Sequence, residues 1–214
     1  MKSQDILLLL KLVSLGRVER GLKMDLDGAW RDWEGSSQQE DDGSVWLEAA
    51  EAENNVLKRD LYSVRALGKV TGISKSQVSL SLERCYFNGL ARLERDSLIP
   101  RVNVQALAEF LVHGLRYVFP VAPGPLTRGI TTGWAAPVLQ ESLMSAGSTP
   151  MVWSDARGST MGQHIEPLYK TVPWAIKIDP YLYSLLSLVD AIRVGRARER
   201  ALASEKLLKM LKDG

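Results

Sequence analysis

Apolar residues along this chain recur mostly at helical spacing and alternate in only a few short places, which predicts a mainly α fold with a small β element. Ser3 can cap a helix over residues 3 to 15, Asp5 favours its first turn, and Ile6, Leu9, Leu10 and Val13 form its stripe. Leu7, Leu8 and Leu15 make that helix apolar nearly all round, so it has more apolar surface than one buried face needs. Residues 16 to 60 are irregular: Gly16, Gly21 and Gly28 interrupt, and Trp30 and Trp33 read as anchors. From Glu34 to Ser44 there is no large apolar side chain, which predicts a loop. Trp46 to Leu57 reads as a helix rich in Ala and Glu.

The most informative pattern spans residues 62 to 102. Ser63 caps a helix with Val64, Leu67 and Val70 inward, and Gly72 stands where that helix must stop. Ile73 fills the turn, and Ser74 caps a second helix whose inner stripe is Val78, Leu82 and Cys85. Lys75, Ser76, Gln77, Ser79 and Arg84 are left outward. A hairpin over Leu90 to Arg95 and Leu98 to Val102, turning at Asp96 and Ser97, would carry Arg92, Arg95 and Arg101.

Beyond it, Asn103 caps an amphipathic helix over 104 to 118 with Leu107, Phe110, Leu111, Leu115 and Val118 inward. Residues 120 to 133 read as a Pro/Gly loop carrying Arg128, and a helix is expected from about 134 to 145. Residues 147 to 164 show little periodicity, and Val172 to Ile178 reads as extended. Asp179 and Pro180 open a helix to about residue 194 with Leu182, Leu185, Leu186, Val189 and Ile192 on one face. A basic amphipathic helix over 196 to 212, with Ala201, Leu202, Leu208 and Leu211 inward, ends the pattern.

Charge sharpens this picture. The net charge of +2 says little, but from Lys58 to Arg101 nine Lys or Arg face four Asp or Glu, and from Asp32 to Glu53 eight acidic residues stand without a basic one. The run from Arg193 to Lys212 has seven basic residues against two acidic, which solvated helix faces also explain. One cysteine allows no internal disulfide, and Cys85 reads as a small core residue. Ile6 to Leu10 is too short to span a membrane and is followed by Lys11, so neither a secretion signal nor a membrane helix is expected, and the chain reads as cytoplasmic.

The order Gly68, Gly72, Ile73, Ser74, Val78, Leu82 and then Asn88-Gly89-Leu90 resembles the winged helix-turn-helix of MarR-like and IclR-like bacterial regulators. Ser81 departs from the pattern, where an apolar residue is common. The resemblance implies a fold that is mainly α with a small β-wing, a winged helix-turn-helix domain followed by a helical C-terminal region. The second helix would enter the DNA major groove. Ser74, Lys75, Ser76, Gln77 and Ser79 would meet base edges or phosphates, with Gln77 pairing bidentately with adenine. Arg65, Lys69, Arg84, Arg92, Arg95 and Arg101 would hold phosphates. The implied organisation is a dimerisation helix at 1–15, an insertion at 16–60, the DNA-binding domain at 61–102 and a dimerisation, effector or partner region at 103–214. The expected function is sequence-specific regulation, most simply repression at a palindromic operator by a homodimer. A looser whole-chain resemblance to bacterial winged-helix antitoxins implies a protein-binding alternative, with a toxin as partner. A helical hairpin without a DNA role is the bland alternative.

Enzyme chemistry finds little support. His113 and His164 lie far from Cys85, so no zinc ligand set forms on ordinary spacings. Ser154, Asp155 and His164 can be assembled on paper into a hydrolytic triple, but no nucleophile-elbow pattern surrounds them. Gly129 to Gly133 lacks the following Lys of a phosphate loop. No catalytic residue, metal or cofactor is expected. Residues 120 to 165, with Arg128, Trp153, Asp155 and Arg157, read as an effector pocket, a partner-docking surface or a structured connection.

Overall fold

The leucine-rich first helix, α1 (Ser3–Glu19), is buried from Gln4 to Leu15, with Ile6, Leu7, Leu8, Leu9 and Leu10 wholly inaccessible. A helix apolar on every side belongs in the middle of a fold, and the other elements are arranged about it. α2 (Val64–Thr71) and α3 (Lys75–Phe87) are followed by a hairpin of β1 (Ala91–Leu93) and β2 (Pro100–Val102). α4 (Val104–Glu109) then runs through a π-helical stretch, Phe110–Gly114, into α5 (Leu115–Val118). The second half holds β3 (Leu126–Thr132), α6 (Pro137–Gln140), β4 (Met151–Ser154), β5 (Thr160–His164), α7 (Val172–Ala175), α8 (Pro180–Val194) and α9 (Ala197–Asp213). The structure, a computed structural model, describes residues 1–22, 31–34, 59–140 and 149–213. It is mainly helical with a few short strands, and no helix among the described residues is long and apolar enough to cross a membrane.

α8 is the second all-round buried helix: every residue from Tyr181 to Arg193 is inaccessible or nearly so. It packs on α1, on α9 and on the strands that follow the first half. Two buried carboxylates fix its contacts. Asp179 caps α8 by accepting from the Leu182 N–H (2.9 Å), and also accepts from Lys11 Nζ (2.8 Å) and Ser14 Oγ (2.7 Å) on α1. One turn from the other end, Asp190 accepts from Trp153 Nε1 (2.7 Å), Thr132 Oγ1 (3.0 Å) and Arg193 Nη1 (2.6 Å). Burial opposes the charge on both. At Asp179 the Lys11 charge and the three hydrogen bonds outweigh it and hold the carboxyl below its ordinary range, whereas at Asp190 burial wins and the carboxyl is pushed up.

The strands of the second half close on themselves. β3 pairs antiparallel with β4 through Gly129–Thr132 and with β5 through Leu126–Gly129, and β4 pairs parallel with β5. The crossing point is tight: a Cβ at Gly129 would sit 2.0 Å from the Trp153 carbonyl oxygen, and one at Gly158 would sit 2.1 Å from the Gly129 carbonyl carbon. Asp32 stitches the barrel from outside, accepting from the Thr131 N–H (2.7 Å), from Thr160 Oγ1 (2.9 Å) and from Ser159 Oγ.

Several expectations are corrected here. α1 does not stop at residue 15: it runs through Gly16 to Glu19, because Arg17 stacks over the Tyr181 ring at 4.7 Å and Glu19 binds Arg101. Its leucines are covered within one chain, so α1 offers no apolar face for dimerisation. The expected loop at 120–133 contains β3, and the aperiodic stretch to 164 contains β4 and β5. The segment read as extended, Val172 to Ile178, is helical, as Pro173 in a first turn allows. The inner stripe of α9 is Ala203, Leu207 and Leu211, with Leu208 on the outside. The helix over 104 to 118 carries the π stretch where the Phe110 ring lies over Gly114, 3.1 Å from where its Cβ would be. The loop expected from Glu34, the helix from Trp46 to Leu57, Trp30 and the last part of the 134–145 helix, from residue 141, lie outside the described residues; its first part holds a 3-10 turn, Gly133–Ala135, and α6.

Removing the α8 cap tests the α1–α8 junction. Asp179→Ala leaves the Lys11 ammonium buried and unpaired, a change of the kind that destabilises by roughly 3–5 kcal/mol. Urea unfolding should show that loss with an unchanged slope. The pH dependence follows in sign. A carboxyl with a lowered folded value contributes fully above its ordinary value of about 3.9, and the contribution is lost as pH falls through the folded value. Asp179→Asn should therefore flatten the acid limb of stability against pH, and an unaltered limb would exclude the pair as its source.

Candidate nucleic-acid interface

Local chemistry sets the helix–turn–helix of α2 and α3. Ser63 caps α2, its Oγ accepting from the Ala66 N–H at 3.2 Å, and Leu67 and Val70 face the core. Gly72 ends the helix at φ +67°, in the left-handed region that glycine enters without a Cβ clash. The turn is close enough that a Cβ at Gly68 would lie 2.8 Å from the Ile73 carbonyl oxygen. Thr171, from the second half of the chain, donates to the Thr71 carbonyl (2.6 Å) and lies against Gly72. Ser74 occupies the cap position of α3, but its hydroxyl makes no capping bond and instead lies 3.4 Å from Ser76 Oγ.

The inner face of α3 is Val78, Ser81, Leu82 and Cys85. Burial pushes the Cys85 thiol up to about 12, as befits a core side chain. Ser81, the polar departure from the apolar pattern, is inaccessible and accepts from Gln4 Nε2 (3.0 Å) and Arg84 Nη2 (2.9 Å). The outward face is the stripe Ser76, Leu80, Glu83 and Phe87, with Lys75 at its head. Leu80 and Glu83 were not singled out from the sequence. The helical spacing that marks Val78 and Leu82 as inner also marks these as outer, and an apolar outward residue hides that signal.

The sequence-predicted cations divide into two groups. Arg65, Lys69 and Lys75 on α2 and α3, and Arg92 and Arg95 on the hairpin, are exposed. Arg84 and Arg101 are engaged in the fold. Arg84 grips Asp5 with both Nε (2.9 Å) and Nη2 (2.6 Å), and the Asp5 side chain is wholly inaccessible. Burial works against the Asp5 charge, but Arg84, the Lys2 N–H and Ser81 overcome it and hold the carboxyl below its ordinary range. Arg101 binds Glu19 (2.5 Å) and Glu94 (3.3 Å) and lies over the Tyr62 ring, whose hydroxyl donates to Glu19 at 3.1 Å. Ser79 and Gln77 are half-buried, and Gln77 Oε1 accepts from Gln4 Nε2 at 2.9 Å. Arg84 and Arg101, expected outward, are thus partly exposed but tied into the fold by acidic side chains of α1, Asp5 and Glu19, which lie 79 and 82 residues away in sequence.

Among the described residues of 120 to 165, β3, β4 and β5 form the barrel: Trp153 is buried on Asp190, and Asp155 binds Lys177 at 2.6 Å. Asp155 therefore does not complete the triple drawn from the sequence. Ser154 Oγ and His164 Nδ1 do meet at 2.8 Å, with Glu166 on the other ring nitrogen at 3.2 Å, as a surface chain across β4 and β5. An apolar hollow of about 430 Å³ lies elsewhere, between α4 and α9, lined by Val104, Ala108, Val112 and Leu208 with His113 and Lys212.

Arg84→Met should separate scaffold from contact. It strands the buried Asp5 carboxylate, and because Arg84 is itself a quarter exposed the loss should be roughly 2–4 kcal/mol, below that of a wholly buried pair. Chemical unfolding measures it. A loss within about 0.5 kcal/mol, the usual range of a surface substitution, would place Arg84 back among solvent-facing cations.

No protein-family model matches the chain, and no curated protein or solved structure matches it either.

Proposed function

We propose that residues 61–102 act as a winged helix-turn-helix that binds double-stranded DNA, and that the protein is a transcriptional regulator. The observation that carries this reading is a glycine-turned helix pair and hairpin whose exposed cations, Arg65, Lys69, Lys75, Arg92 and Arg95, come from all three elements. Backbone phosphates are bound by such sequence-independent charge, while base edges are read by side chains of the inserted helix. Lys75, Ser76 and Gln77 occupy its first turn, where a recognition helix meets bases. Leu80 and Glu83 follow on the same side and offer an apolar contact for a thymine methyl and an acceptor for cytosine N4. Arg84 and Arg101 hold α3 and the hairpin on α1 and leave the phosphates to the exposed group. A palindromic operator would need a second copy joined through the C-terminal half, since the α1 leucines are used internally.

A second reading adds a protein partner such as a toxin. It is favoured by Leu126 and Met161, 64% and 60% exposed, which the β3–β5 register places on one outer face with Arg128 and Gln163. The two readings are compatible in one chain.

Binding of fluorescent duplexes over a range of salt tests the DNA reading. Arg92→Ala and Arg95→Ala should each weaken binding on every sequence and reduce the slope of log affinity against log salt by about 0.9 per lost phosphate contact. Slopes equal to wild type in both variants would remove the hairpin from the interface.

A further inference from the structure

Gln77 stands on the first turn of α3 with one end of its amide already engaged. Gln4 of α1, only 7% exposed, donates from Nε2 to Gln77 Oε1 at 2.9 Å and to Ser81 Oγ at 3.0 Å. Ser81 accepts as well from Arg84, and Arg84 is clamped to Asp5. The result is a continuous network, Asp5–Arg84–Ser81–Gln4–Gln77, that runs from the buried helix to the base-reading turn.

Bidentate reading of adenine requires an amide oxygen to accept from N6 while the nitrogen beside it donates to N7. Gln77 Oε1 has two lone pairs, and the one that accepts from the buried Gln4 ties the carbonyl to α1, so the amide is not free to turn its oxygen and nitrogen together onto one base edge. On the DNA-binding reading, we infer that Gln4 is a specificity-determining positioning residue: it holds the Gln77 carbonyl inward, so Gln77 offers only amide N–H groups and selects guanine, and after it thymine. Guanine presents two major-groove acceptors, N7 and O6, and thymine presents O4. Adenine sets its N6 donor beside N7, against a second donor from the amide, and cytosine offers a donor alone. The base read by α3 is thus set in part by a residue 73 positions away that never meets DNA.

Selection from a randomised duplex pool by the full-length chain tests this. One base position should lose its preference in Gln77→Ala. There the wild type should select guanine, or thymine second. Gln4→Met, which frees the amide with little change in volume, should move the choice to adenine by about tenfold, the scale of one good bidentate contact. Gln77→Glu, in which Gln4 still holds one oxygen and the other faces out, should move it to cytosine. This variant keeps the buried network intact and so carries the test even where Gln4→Met does not fold. Adenine chosen by the wild type, the wild-type base retained in a folded Gln4→Met, or no move to cytosine in Gln77→Glu overturns the inference. Enrichment by the wild type with no position that depends on Gln77 overturns it alone, whereas a wild type that enriches no sequence overturns the DNA reading as well.

Discussion

The junction of Asp179 with Lys11 and Ser14 is the contact on which the rest of the structure depends. α1 and α8 are each apolar on all sides, and each fully buried Leu or Ile there contributes roughly 1.5–3 kcal/mol. That driving force is non-directional: it brings the two helices together without choosing their rotation or register. A buried ion pair contributes little net stability, because desolvation of both charges offsets their attraction, but a misaligned one is severely unfavourable. Burial therefore supplies the magnitude and Asp179 supplies the direction. The same carboxylate caps α8, so the start of that helix and its docking on α1 are one event.

From this spine polar ties run outward in both directions. Asp5 and Gln4 fix α3 through Arg84, Ser81 and Gln77, and Glu19 fixes the hairpin through Arg101. Asp190 fixes the barrel through Trp153 and Thr132. Thr171, which comes just before α7, closes the circuit by holding the α2–α3 turn at Thr71. The elements proposed to meet DNA are thus held from the buried helix on one side and from the C-terminal half on the other. A base-reading side chain needs such support, since hydrogen-bond selectivity is lost when the donor can move by an ångström.

The legibility of these parts in the sequence follows the range of the forces that make them. The α2–α3 turn was readable because its causes are local: Ser63, Gly68, Gly72 and Ile73 act within ten residues of one another. α8 and α9 were readable from period and caps, although in α9 only Leu211 of the expected fully buried stripe holds, with Ala203 and Leu207 inward in place of Ala201 and Leu208, since Ala203 is as small as Ala201 and only tertiary contact distinguishes them. The barrel was hidden. Its strands carry Gly129 and Gly162, poor strand formers by themselves, which are there because neighbouring backbone leaves no room for a side chain. α1 was read as helix but its surroundings were not, since an all-round apolar helix reads alike whether it is covered by another copy or by its own chain.

The same limit applies to charge. Arg84 and Arg92 are equivalent in a count of basic residues, yet one binds a wholly buried carboxylate and the other faces solvent. What separates them is whether an acidic side chain arrives from α1, and that depends on the helix having been drawn into the core by its leucines. The hydrophobic pattern therefore decides, at one remove, which cations remain available to a polyanion. Of the local balance of +5 between Lys58 and Arg101, the part held by Arg84 and Arg101 is neutralised internally by Asp5 and Glu19, both outside that window. The charge a DNA duplex would meet is thus smaller than composition states, and it is concentrated on the exposed side chains of α2, the head of α3 and the hairpin.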